Sequence, residues 1–325
     1  MVEDFVRWAW NDGFLSQQLK ECRHELTEAL RRLPEPDFLA ARDTQHDVGT
    51  EIRTISEYRR ESPAAAAVAN FKRVQESLRS LEEYSKVVDA EVSPRFEQLR
   101  YRLYTLDKAV HTTHVARLRL ATNSLCLLAT NALCHHGLGP AILGALEAGV
   151  RMVQLREKSL PDRELLDLAG RVRQWTQDFD AIFIVNDRPD IAALANADGV
   201  HLGQDDLTVA AARKLLGPDK LVGVSTHSIE QARQAVLDGA DYLGVGPVFP
   251  SSTKEFTEFP GLAFVEQVAA EIPLPWFAIG GINEENLSDL LAAGATRIAV
   301  SGAICSSEEP SWAAGELLGR LTSVT

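Results

Sequence analysis

The chain has 325 residues, a net charge of −13, 45% hydrophobic and 24% charged residues. That length exceeds most single cores and implies about two domains. The composition excludes a largely disordered chain, and the acidity excludes nucleic-acid binding through an overall basic face, so any anion site must be local.

The first residues, MVEDFVRWAWNDGF, carry early acids and no long apolar core, so no secretory signal is expected. No run reaches the ~18 apolar residues of a membrane span. Cys22, Cys126, Cys134 and Cys305 are scattered and form no CxxC pair, a pattern of reduced thiols; the cytosol is the expected address. Residues 1–112 predict an all-α domain. In FKRVQESLRSLEEYSKVV apolar residues recur three and four apart, and glycine is confined to Gly13 and Gly49.

This half repeats itself. VEDFVRW (Val2–Trp8) is similar to LEEYSKV (Leu81–Val87), and LKECRHEL (Leu19–Leu26) to FEQLRYRL (Phe96–Leu103), a duplicated helical pair. The second copy is preceded by ANFKRVQESLRS, for which the first copy has no room; helical sequence upstream of Met1 is therefore expected. Between the copies, ARDTQHDVGTEI places Asp43 and Asp47 near Gly49. A solvated loop capped at Thr50 and a small anion or metal-nucleotide site are equally compatible with it. SPAAAAVA (Ser62–Ala69) is expected to enter a helix, and HTTHVAR (His111–Arg117) to be the domain junction.

From residue 118 to 325 the rhythm changes. Strands are expected at Leu125–Ala129, Met152–Arg156, Ile182–Asn186, Gly199–Leu202, Leu221–Val224, Tyr242–Gly246, Trp276–Ile279 and Arg297–Val300. Amphipathic segments such as SIEQARQAVLDGA and NEENLSDLLAAGA lie between them and end on helix-stopping glycines. Eight strands with interleaved helices over about 200 residues point to an α/β fold, a (β/α)8 TIM barrel behind the helical domain. A doubly wound sheet is the alternative.

In such a barrel the functional face lies at the C-terminal strand ends. Those ends carry Gln154, Arg156 and Lys158 in VQLREKSL; Asn186 and Asp187 in VNDRPD; Gln204, Asp205 and Asp206 in HLGQDD; and Ser225, Thr226 and His227. They continue with Ser251, Ser252, Thr253 and Lys254 in GPVFPSSTKE, then Gly280 and Gly281, then Ser301 and Gly302. One Asn-Asp pair is most often a turn; polar residues and glycines at nearly every strand end favour a site. Gln154, Arg156 and Lys158 alternate, which on a continuing strand puts an amide and two cations on one face. Burying cations unpaired is expensive, so they await an anion. Asp187 and Asp206 supply hard oxygens from neighbouring strands and suit Mg²⁺. Arg156, Lys158 and Lys254 can hold a diphosphate beside it. Gly281 and Gly302 offer backbone N–H groups for a separate monophosphate. Two anion sites imply two substrates, with loss of pyrophosphate and transfer of the remaining carbon group. CHH (Cys134–His136) is adjacent rather than spaced and is read as loop.

VQLREKSL, VNDRPD, ADGVHLGQDDL, VGVSTHS, ADYLGVGPVFPSSTKE, AIGGIN and GATRIAVSGAI occur in the order found in the thiamine-phosphate synthase family, which residues 118–322 closely resemble. The resemblance implies a transferase that joins hydroxymethylpyrimidine diphosphate to hydroxyethylthiazole phosphate. Pyrophosphate departs first, and the thiazole nitrogen captures the pyrimidine-methyl cation. Carried over by motif, Gln154, Leu155, Arg156, Glu157, Lys158 and Asn186 hold the pyrimidine diphosphate, and Ser225 and Lys254 contact it. Arg156, Lys158, Ser225 and Lys254 are the catalytic set, and Asp187 and Asp206 bind Mg²⁺. Ser251, Ser252 and Thr253 line the thiazole side, and Gly281, Ser301 and Gly302 hold its phosphate. Gly302 stands where the family often has serine, which here comes one position earlier. The partners implied are these small molecules, with a homo-oligomer left open. The related thiazole tautomerase needs neither diphosphate nor metal, and Arg156, Lys158, Asp187, Asp206 and Lys254 together argue against it. The first half resembles an extension fused to some synthases, read elsewhere as an alternative hydroxymethylpyrimidine-phosphate kinase; the sequence has no Walker or kinase glycine loop, and a scaffold role is as compatible.

Overall fold

The computed structural model describes residues 1–33, 46, 59–250 and 259–322. The chain divides into two compact units, Met1–His114 and Val115–Thr325.

The first unit is helical: α1 (Val2–Trp10), α2 (Gly13–Leu30), α3 (Pro63–Val88) and α4 (Ser93–Arg119). The ends are written in the sequence. Asp12 accepts from the Leu15 N–H at 2.7 Å and starts α2. Ser62 accepts from the Ala65 N–H at 3.1 Å, with Pro63 at the first helical position, and starts α3 as SPAAAAVA predicts. The repeated segments fall on α1 and α2 and on the end of α3 and α4. Val6, Leu15, Phe71, Leu78, Phe96 and Leu106 form the apolar interior. Arg100 and Glu82 pair at 2.8 Å between α4 and α3, both nearly buried, and Arg102 reaches Glu21 and Glu25 of α2. The division after His114 falls within the expected junction His111–Arg117, and α4 runs through it.

The second unit is a closed barrel of eight parallel strands in sequence order: β1 (Leu125–Ala129), β2 (Met152–Leu155), β3 (Ile182–Asn186), β4 (Gly199–Leu202), β5 (Leu221–Thr226), β6 (Tyr242–Val245), β7 (Trp276–Ile279) and β8 (Ile298–Val300). Helices α5 (Leu138–Glu147), α6 (Asp162–Asp178), α7 (Pro189–Leu194), α8 (Val209–Leu216), α9 (Ile229–Asp238), α10 (Gly261–Glu271) and α11 (Leu287–Ala292) alternate with them. Two more, α12 (Gly302–Cys305) and α13 (Pro310–Thr322), follow β8. The doubly wound alternative is thereby excluded. Cys126, Leu128, Met152, Ile184, Leu221, Tyr242, Phe277 and Ala299 fill the barrel as layered inward-facing side chains. The predicted stop after α9 is real: Gly239 has φ +83, a left-handed position that favours glycine.

One device recurs at the N-terminal end. Asp198, just before β4, accepts from the Phe183 N–H of β3 at 2.8 Å and pairs with Arg173 of α6 at 2.5 Å. Asp241, just before β6, accepts from the Val222 N–H of β5 at 2.6 Å and pairs with Arg213 of α8. Each carboxylate ties a helix to two strands at the face away from the site.

Candidate active site

β2 ends at Leu155, one residue earlier than the sequence predicts, so the strand pleat does not carry through to Lys158. The chain turns out of the sheet, and this is what separates the roles. Gln154 is the last inward residue and is buried. Leu155 points to the other side by alternation and is buried, so it can offer a ligand only its backbone. Arg156 is half-buried, its N–H bonded to the Ala129 carbonyl at 2.9 Å and its carbonyl accepting from Thr130 Oγ1 at 3.1 Å. Glu157 is turned to structure: its carboxylate accepts from the Asn131 N–H and holds the loop after β1. Lys158 is exposed and places Nζ 3.3 Å from Asp187 Oδ2. Alternation alone does not show this; the loop geometry brings Lys158 to the end of β3.

Asp187 follows β3 at φ +62, a left-handed conformation uncommon outside glycine. Its N–H donates to the His201 carbonyl at 2.8 Å, which holds that turn. Asn186, half-buried, is the last residue of β3. After β4 the chain bends so that Asp206 Oδ2 accepts from the Gly203 N–H at 2.6 Å. The Asp187 and Asp206 carboxyl groups come within reach of each other. Loss of water, then the Asp187 carboxylate, push the Asp206 pKa up, against the Gly203 N–H and Lys158. Two carboxyl groups that repel, with Lys158 the ammonium group set beside them among the described residues, form a place that favours added positive charge. Among the described residues no group of three His, Cys, Asp or Glu side chains is set to hold a metal. Two hard oxygens fit Mg²⁺ where ligand phosphate and water complete its shell.

Ser225 lies near the end of β5. Its Oγ is 2.9 Å from His201 Nε2, and its carbonyl accepts from Gln204 Nε2 at 2.6 Å. His201 Nδ1 is 3.2 Å from the Tyr242 hydroxyl. Burial lowers the His201 pKa to about 4, so the ring is neutral near pH 7. His201 and Tyr242 escape a reading of strand ends because they sit inside the barrel. The signal that could have found them is the period of two: His201 is two residues from Gly199 on the inward face.

On the other side, Gly281 has φ +64, and a Cβ there would stand 2.3 Å from the Pro250 carbonyl oxygen, so only glycine lets the loops after β6 and β7 close. Ser301 Oγ is buried beside the Cys305 thiol and has no oxygen or nitrogen hydrogen-bond partner among the described residues; a ligand oxygen would supply one. Gly302 opens α12, and a Cβ there would meet nothing nearer than Ser306 Oγ at 3.8 Å. Ser251, Ser252, Thr253 and Lys254 lie outside the described residues, as do Asp43, Asp47, Gly49 and Thr50. Cys134–His136 is loop, as expected, with the two imidazoles in contact with each other.

Residues 125–304 match the family model described as thiamine monophosphate synthase. A thiamine-phosphate synthase of Gloeobacter violaceus is 44% identical over 321 residues, covering 99% of this chain and 92% of the relative. The chain belongs to the thiamine-phosphate synthase family. A second thiamine-phosphate synthase, from Synechocystis sp., is 40% identical over 323 residues and covers the same shares. The solved thiamine phosphate pyrophosphorylase of Pyrococcus furiosus superposes with a TM-score of 0.57 at 34% identity, covering 64% of this chain and 98% of that one. Residues 1–109 match the ThiD2 family. The synthases of Gloeobacter and Synechocystis thus match both halves of the chain, the helical one included.

Proposed function

We propose that the upper face of the barrel makes thiamine phosphate, joining hydroxymethylpyrimidine diphosphate to hydroxyethylthiazole phosphate with release of pyrophosphate. The observation that carries this reading is the cluster of Lys158, Asp187 and Asp206 at three neighbouring strand ends, with the buried Ser301 hydroxyl at the end of β8. One corner suits a diphosphate with a metal, the other a monophosphate. A tautomerase would need only the second, and membership of the synthase family speaks against that reading.

The chemistry is cleavage of a carbon–oxygen bond to a good leaving group, and the residues serve that charge. Mg²⁺ bound at Asp187 and Asp206 would neutralise charge building on the departing pyrophosphate. Lys158, paired with Asp187, and Arg156 add cations beside it, and charge already in place there stabilises the leaving group more than solvent dipoles that must reorient. Gln154, buried at the end of β2, presents an amide to the pyrimidine. Ser225 contacts the diphosphate from β5. Ser301, Gly302 and Gly281 hold the thiazole phosphate so that the ring nitrogen faces the carbon losing pyrophosphate. The C–O bond breaks with its electron pair leaving on pyrophosphate, and the nitrogen lone pair forms the new C–N bond. By the family motif Lys254 is assigned to the diphosphate and Ser251–Thr253 to the thiazole, and a cytoplasmic setting is consistent with small phosphorylated substrates; no described helix is long and apolar enough to cross a membrane. The test is stoichiometry: pyrophosphate release should match thiamine phosphate formed and require both substrates. Conversion of the thiazole alone, without the pyrimidine, would support the isomerase instead.

A further inference from the structure

We propose that His201 and Tyr242 are positioning residues that fix the direction in which the Ser225 hydroxyl offers its proton, making Ser225 a donor to the diphosphate. The inference rests on the Ser225–diphosphate contact proposed above.

A barrel interior is normally filled by branched aliphatic side chains. Here the interior holds an imidazole and a phenol, with ring centroids 5.4 Å apart, and glycines on β5 and β6 leave room for them. A Cβ on Gly223 would lie 2.1 Å from Tyr242 Cζ and 2.5 Å from His201 Nδ1, and one on Gly244 would lie 3.2 Å from His201 Cε1. Burying these polar rings is costly unless each polar atom is satisfied. The geometry satisfies them as a line: the Tyr242 hydroxyl 3.2 Å from Nδ1, and Nε2 2.9 Å from Ser225 Oγ.

The line has one favoured polarity. A neutral imidazole has one donor and one acceptor. A phenol is a better acid than an alcohol, so Tyr242 donates to Nδ1. The Gln154 amide stands beside the Tyr242 hydroxyl and can donate to the phenol oxygen. The ring proton then sits on Nε2 and donates to Ser225 Oγ. The serine proton is left with no use inside the relay and faces the barrel mouth. Gln204 Nε2, 2.6 Å from the Ser225 carbonyl, holds the residue's backbone meanwhile. A serine fixed as donor suits an anionic oxygen. With the opposite tautomer, Nε2 would accept the serine proton and leave only lone pairs toward the diphosphate. A serine beside a histidine invites comparison with a nucleophile and its base; this polarity is the reverse, and His201 takes no proton from Ser225.

The test uses the full chain. A long-range ¹H–¹⁵N spectrum of ¹⁵N-histidine protein, with the His201 signals assigned by their loss in His201→Gln, should show the proton on Nε2. Tyr242→Phe keeps the ring packed over Gly223 and removes only the hydroxyl. It should lower kcat/KM for the diphosphate about five- to tenfold, the size of one hydrogen bond, and leave KM for the thiazole phosphate unchanged. In a Ser225→Ala background the same substitution should cost nothing further, because the relay then ends on no hydroxyl. A proton on Nδ1, or a Tyr242→Phe loss undiminished in Ser225→Ala, would overturn the inference and leave the proposed function standing. An unchanged kcat/KM in Ser225→Ala alone would refute the underlying contact, and the functional part of the inference with it.

Discussion

Replacing Lys158 with alanine separates chemistry from stability more cleanly than any other substitution at the site. The Lys158 side chain is 55% exposed and its ammonium lies 3.3 Å from Asp187 Oδ2. An exposed pair of this kind contributes under about 1 kcal/mol to folding, which for a unit of this size shifts melting by about 2–4 °C at most. The effect on reaction belongs to another scale. Removing one fixed group that stabilises charge formed only in the transition state costs about 10²–10³ in kcat, or about 2.7–4 kcal/mol. Lys158→Ala should therefore lose about two to three orders of magnitude in thiamine phosphate formation at saturating substrates, with its thermal melt nearly superimposed on that of the unaltered chain. Full activity would refute the role of Lys158. A loss of activity matched by a large drop in melting temperature would refute the separation of roles.

Other outcomes follow from the same geometry. The Asp206 pKa is raised above 3.8 by loss of water and by Asp187, so its proton competes with a metal at a higher pH than for an ordinary carboxylate. Apparent Mg²⁺ affinity in the presence of pyrophosphate, measured by calorimetry, should weaken as pH falls from neutral to mildly acidic, and Asp187→Asn should move the onset of Asp206 protonation lower. Arg213→Met leaves the 5%-exposed Asp241 without its cation; urea unfolding should show a loss of about 3–5 kcal/mol, with kcat of the folded protein unchanged. Gly302→Ser meets no close neighbour and adds a hydroxyl at the phosphate corner. It should leave the melt unaltered and lower KM for the thiazole phosphate by up to about tenfold, read from initial rates.

The barrel was legible because its signals are local. Strands such as Leu125–Ala129, Ile182–Asn186, Gly199–Leu202 and Trp276–Ile279 have the predicted ends, since apolar runs stop at polar residues or glycine. The turn glycines mark helix ends for the reason that makes Gly239 left-handed. Alternation failed at Arg156–Lys158, where the strand has already ended and loop hydrogen bonds from Thr130 and Asn131 set the path. The same loop takes Glu157 for its own support. Asp187 and Asp206 were readable as strand-end carboxylates, but their mutual repulsion was not, because it depends on the Asp187 turn and on the Gly203 bend. His201 and Tyr242 lie in the barrel interior on strands β4 and β6, brought together only because β5 pairs with both. In the helical half, the helix entry at SPAAAAVA was plain in the sequence, and Ser62 caps it. The division after His114 falls within the expected junction His111–Arg117; the sequence did not show that α4 continues through it, since no glycine or proline breaks the helix there.

The measurement that bears most directly on the whole account is the reaction itself. The purified chain is mixed with hydroxymethylpyrimidine diphosphate and hydroxyethylthiazole phosphate, with Mg²⁺ or with EDTA, and the product is oxidised to its thiochrome and read by fluorescence. Thiamine phosphate that forms with Mg²⁺ and not with EDTA is the expected result. A folded chain that yields none with both substrates and Mg²⁺ present would contradict the assignment of this face of the barrel.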